Sequence, residues 1–136
     1  MSEMNNAYNQ YKTRSLSTLA QGELLVKVFD ELIKQCRLAE IAFEKGPKGA
    51  EHDCLIKAQV IIDTLASSLD PRIPISDELR PLYIFFAHEL RDANLKKIPR
   101  KVSDVLPLIK DLRNTFEQAD KLSRLGQPSA VGVKAV

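Results

Sequence analysis

The sequence predicts an all-α protein: an antiparallel up-down four-helix bundle with a flexible N-terminal arm and a disordered C-terminal tail. Three observations predict it. Apolar residues recur at alternating spacings of three and four in four separate segments. Proline and glycine fall between those segments. With 5 glycines, no tryptophan and 6% aromatic residues in 136, the chain lacks the turn formers and β-formers that many short strands require. That length suits one domain and supports a core without disulfide or metal staples.

Residues 1–20 are polar, with Tyr8, Tyr11, Leu16 and Leu19 as their sizeable apolar side chains, and read as an arm. The first helix, about 22–45, carries the stripe Leu25, Phe29, Leu32, Cys36, Ala39, Phe43 and stops at Gly46, Pro47 and Gly49. A second, about 51–70, repeats it as Leu55, Ala58, Ile62, Leu65, Leu69 and ends at Asp70-Pro71. Ser76 or Asp77 is the expected N-cap of the third, about 77–96, whose stripe is Leu79, Tyr83, Phe86, Leu90, Ala93. Pro81 requires either a late start or a bend. The fourth, about 103–122, carries Val102, Val105, Ile109, Leu112, Phe116, Ala119, with Ser103 or Asp104 expected to cap it ahead of Pro107. Residues 123–136 have no period and read as a disordered tail. Residues 21–122 form the bundle, and connections of roughly five to ten residues suit antiparallel neighbours.

Several apolar residues fall off these stripes: Leu24, Val28, Ile33, Leu38 and Ile41; Ile56, Val60 and Ile61; Ile84 and Phe85; Leu106 and Leu108. Some widen the core face at flanking heptad positions. The remainder would form an exposed apolar groove, which marks a partner site.

Charge selects no partner. Twenty Lys and Arg against 18 Asp and Glu leave +2, far from the balance of a dedicated nucleic-acid binder. The densest basic cluster, Lys96, Lys97, Arg100 and Lys101 with Arg91 a turn earlier, reads first as cations placed at a helix C-terminus. Docking to an acidic surface is its second reading, and no interleaved aromatics favour nucleic acid. The N-terminus lacks a secretory h-region and no run approaches a membrane span, so a cytoplasmic protein is expected, without membrane insertion.

Chemistry finds no purchase. A di-metal bundle needs paired Glu-x-x-His motifs; His52 follows Gly49 and His88 follows Phe85 at that spacing, so neither qualifies. Cys36 and Cys54 show no CxxC spacing and read as small apolar residues. No phosphate-cradling glycine loop occurs, and no nucleophile and base are paired by motif. No catalytic residue, cofactor or metal is expected, and the chain is not read as an enzyme.

Four segments carry a resemblance. Thr18-Leu19-Ala20-Gln21-Gly22-Glu23-Leu24, then Val28-Phe29-Asp30, is similar to T-A-S-P-x-E-L followed by L-Y-D-G. The run from Leu55 through Leu65, ending at Leu69-Asp70, is similar to L-I-K-A-Q-x-I-I-x-x-L. Leu82-Tyr83 and Glu89 through Asn94 are similar to a stretch ending R-L-x-E-A-N, and Leu112-Arg113 with Phe116 through Ala119 to L-R-x-A-W-x-x-A. In order and at these spacings, over roughly residues 8–122, they resemble the flagellar secretion chaperones of the FliS type. Ser-Pro is replaced by Ala20-Gln21, Asp-Gly by Asp30-Glu31 and tryptophan by Phe116, and the usual glycine pair before the third helix is absent.

The resemblance implies a chaperone for flagellin: a bundle whose outer apolar grooves take flagellin's C-terminal segment, prevent premature polymerisation and support delivery to the flagellar type III export apparatus. Contact with an export-gate component is a further implied partnership. The arm would lie over the empty site. By that likeness Tyr11, with Tyr8 as a second candidate, and Leu16 belong to the flagellin-binding set, joined by Ile56, Val60, Ile61, Ile84 and Phe85 from the outer helix faces. A hydrophobic staple would also use Leu16 or Leu19. The alternative is a four-helix-bundle adaptor or a chaperone for a different export substrate or regulator.

Overall fold

The computed structural model describes the backbone of residues 3–126 and the side chains of residues 21–126. Four helices follow one another: α1 (Glu3–Lys45), α2 (Ala50–Ser67), α3 (Ile75–Leu95) and α4 (Pro99–Arg124). Each packs against its chain neighbour, and α4 returns to α1, so the section is a closed square. Polar contacts fix the directions. Ser103 at the start of α4 donates to Glu40 near the end of α1 (2.7 Å), while Arg124 at the end of α4 reaches Glu23 (3.1 Å). His52 at the start of α2 meets Asn94 at the end of α3 (2.9 Å). The bundle is therefore antiparallel, up-down-up-down.

The core is the four expected stripes brought face to face. Phe29, Leu32 and Cys36 from α1, Leu55, Ala58 and Ile62 from α2, Tyr83, Phe86 and Leu90 from α3, and Val102, Val105 and Ile109 from α4 are buried in one cluster. Phe29 sits at its centre, its ring 5.4 Å from that of Phe116 and 6.3 Å from that of Tyr83. Burial pushes the Tyr83 hydroxyl pKa up, and raises the Cys36 thiol to about 12.

The helix ends depart from expectation in ways that are physical. α1 does not begin near residue 22 but runs back to Glu3, because no proline or glycine interrupts residues 3–21 and Ala20-Gln21 favour helix. Ser76 and Asp77 do not cap α3; the N-cap is Pro74, and the buried Ser76 hydroxyl instead donates to the Asp70 carbonyl at 2.7 Å. Pro81 and Pro107 lie inside α3 and α4, and Pro99 opens α4 at the position where a missing N–H costs nothing. Lys97, at φ 53, occupies the left-handed position usually given to glycine after a helix, with the Ile98 N–H closing onto the Ala93 carbonyl at 2.9 Å. Of the expected tail, Ser123 and Arg124 close α4, and residues 127–136 lie outside the described part.

Candidate functional site

The off-stripe apolar residues divide among the flanks of the bundle. Successive helix residues turn by about 100°, so neighbours in sequence face different partners. Ile56 and Val60 project from α2 away from the core, and both are exposed, Val60 at 58%. Ile61 lies a further 100° round and packs half-buried against the core, so it belongs to the widened core face rather than to the outer groove. On α3, Ile84 is exposed at 61%, on the flank toward α2 that also carries Asn94, the partner of His52. Phe85 is exposed too, but on the opposite flank with Glu89 and Asp92, which pair with Lys101 of α4 at 3.4 and 3.7 Å. The structure thus brings Ile56, Val60 and Ile84 to the α2–α3 face and sends Ile61 and Phe85 elsewhere. Tyr8, Tyr11 and Leu16 have side chains outside the described residues.

A cavity of about 410 Å³ lies at the end of the bundle where α1, α2 and α3 meet. Leu24, Leu25 and Val28 of α1 form one wall, Thr64, Leu65, Ser68 and Leu69 of α2 a second, and Ile73, Ile75, Leu79 and Tyr83 a third, with Phe116 of α4 behind them. Its rim is stiffened by the α2–α3 connection. The Asp70 carboxylate accepts from the Arg72 backbone N–H (2.9 Å) and from its guanidinium (2.8 and 3.0 Å), and the Arg72 side-chain hydrogen bond holds the Asp70 pKa down to about 2. This cavity is the feature that sequence reading missed. Leu24, Val28 and Leu69 were visible as apolar positions, yet nothing local joins them to Ile73 and Ile75, which lie in and beyond a proline-bounded connection.

The basic cluster is largely engaged by the protein itself. Lys97 bridges Glu51 (3.0 Å) and the side-chain oxygen Oδ1 of Asn94 (2.8 Å); Lys96 pairs with Asp92 (3.7 Å) and Arg100 with Asp104 (3.4 Å). The Lys97 hydrogen bond lowers the Glu51 carboxyl pKa, aided by backbone N–H donors that include Gly49. Asn94 uses its oxygen for Lys97 and its amide hydrogens for the His52 ring, so α2 and α3 are tied at this end by a closed polar set. His88, Glu89 and Asp92 lie close enough to share an ion. Lys101 and Lys96 already neutralise those carboxylates. No described helix is long and apolar enough to cross a membrane.

The arrangement can hold an apolar segment but offers no assembled nucleophile and base among the described residues. Two comparisons show what the chain is similar to. The family model described as flagellar protein FliS matches residues 4–123. The flagellar secretion chaperone FliS of Bacillus subtilis (strain 168) is 29% identical over 128 residues, covering 94% of this chain and 96% of that protein.

Proposed function

The chain belongs to the FliS family, and on that premise we propose that it binds the C-terminal segment of flagellin in the cytoplasm, holds it unpolymerised and supports its delivery to the flagellar type III export apparatus. The observation that carries the site is the outward apolar set Ile56, Val60 and Ile84 on α2 and α3; an open apolar cavity lies at one end of the same bundle. Such residues remain in water in the free bundle and are available to the apolar stripe of a helical segment.

Mechanism follows from that surface. Flagellin's end segment, if amphipathic, self-associates through its apolar stripe; covering the stripe blocks assembly without chemistry or an energy source. A segment that orders on binding needs a long wrapped interface to offset its ordering cost, which the faces of helices provide better than a closed pocket. Tyr8, Tyr11 and Leu16 are assigned to the same function. The cavity residues Leu24, Leu65 and Ile75 join the candidate set. Calorimetric titration with flagellin, full-length and lacking its C-terminal segment, tests the reading. Heat with the first and none with the second is expected; equal binding of both would place recognition elsewhere.

A further inference from the structure

The α3–α4 face differs in chemistry from the α2–α3 face. Leu82 and Phe85 of α3 are 40% and 44% exposed, and Leu108 of α4 is 47% exposed above the half-buried Leu112. Lys101 pairs with both Glu89 and Asp92, which sets the antiparallel register of the two helices. Counting back from that level at 1.5 Å per residue puts Leu108 between the levels of Leu82 and Phe85. The three side chains therefore form one apolar strip along the groove between α3 and α4.

The strip has an acidic border. Glu78 follows the flank of Leu82 one turn toward the start of α3, and Asp111 lies one turn beyond Leu108 on α4; both are exposed, and neither has an ion-pair partner among the described residues. At the other end Asp92 and Asp104 are present but paired, with Lys96 and Lys101 and with Arg100. On the α2–α3 face the charges near Ile84 are of mixed sign, with Arg80 and Arg91 on α3 and the exposed Asp63 on α2, one heptad from Ile56.

We propose that the Leu82–Phe85–Leu108 strip is a second docking surface, whose occupant is a basic amphipathic helix of a partner protein. Its apolar stripe lies along the strip, and Lys or Arg residues on its flanks meet Glu78 and Asp111. An interhelical groove running parallel to two helix axes accepts such a helix lengthwise, with apolar anchors at i, i+3, i+4 and i+7. The two carboxylates fix the sign of the partner and make association fall with salt. The surface is separate from Ile56, Val60 and Ile84, so it can be occupied while a segment is bound there.

The test uses two synthetic peptides of about four helical turns with the same leucine stripe, one flanked by Lys and one by Glu. Each is titrated into the full chain and followed by amide chemical shifts. The Lys-flanked peptide is expected to shift residues around Glu78, Leu82, Phe85, Leu108 and Asp111, to bind at least about tenfold tighter than the Glu-flanked one, and to weaken with added salt. Glu78→Lys with Asp111→Lys is expected to abolish the preference, Leu108→Asp to lose binding with helicity retained, and Lys57→Ala, an exposed position of α2 with no assigned role, to leave peptide binding unchanged. Equal affinity for both peptides, or shifts confined to the cavity or the α2–α3 face, would overturn the proposal. Displacement of the bound Lys-flanked peptide by the C-terminal flagellin segment would also overturn it, by making the strip part of the flagellin surface. Simultaneous binding supports it.

Discussion

Ile62 and Val60 lie two residues apart on α2 and should respond to truncation very differently. Ile62 is 1% exposed and Val60 58% exposed. Ile62→Ala removes three buried carbons, worth about 2.4 kcal/mol at ~0.8 kcal/mol each. The surrounding side chains Leu55, Ala58 and Leu65 cannot fully close the gap, so the loss rises to about 3–5 kcal/mol. Val60→Ala removes two carbons that are mostly in water already, and alanine recovers about 0.5 kcal/mol of helix propensity, so the net change should stay within about 0.5 kcal/mol. Urea unfolding followed by circular dichroism measures both, with equal m-values showing that the denatured state is unchanged. Equal midpoints for the two variants, or a larger loss at Val60, would mean that the phase of α2 in the bundle is wrong.

Other expectations test separate parts of the structure. Gly22 packs against the Asp120 carboxylate, so a methyl there would push Asp120 off Arg124; Gly22→Ala should fail to deliver the ~1 kcal/mol that helix propensity alone offers, as thermal unfolding would show. Asp70 has a folded pKa of about 2 against an ordinary 3.8, so its contribution to stability is complete above about pH 4 and is lost as pH falls toward 2. The difference in urea midpoint between wild type and Asp70→Asn should accordingly be present at pH 5 and shrink at pH 2. Cys36 is buried with its thiol pKa raised to about 12, whereas Cys54 is half-buried; a thiol reagent at pH 8 should label Cys54 first and Cys36 only on unfolding. Two thiols reacting at one rate in the folded protein would contradict that burial.

The interior was legible in the sequence because a helix stripe is a local property: Leu55, Ala58, Ile62 and Leu65 declare their common face by spacing alone. Helix ends were less so. The Ser76 hydroxyl has the right chemistry for a cap, yet the α2–α3 connection places the Asp70 carbonyl within its reach, and that tertiary partner wins. Lys97 looked like a cation serving a helix C-terminus; its partner Glu51 is distant in sequence and becomes its neighbour only when α2 and α3 pair. The apolar cavity forms where α1, the end of α2, the start of α3 and their connection meet, and no local pattern joins those segments. Off-stripe residues were the hardest to assign. Ile61 and Val60 are chemically alike and adjacent, and only the neighbouring helix α1 decides that one is packed and the other left in water.

The flagellin-binding surface is tested most directly by titrating the C-terminal flagellin segment into Val60→Asp and Ile84→Asp, each first confirmed folded by circular dichroism. A carboxylate at either position is solvated in the free bundle and desolvated without a partner in the complex, so affinity should fall at least about tenfold while helicity and urea midpoint stay near wild type. Wild-type affinity in both folded variants would contradict the assignment of the α2–α3 face to flagellin.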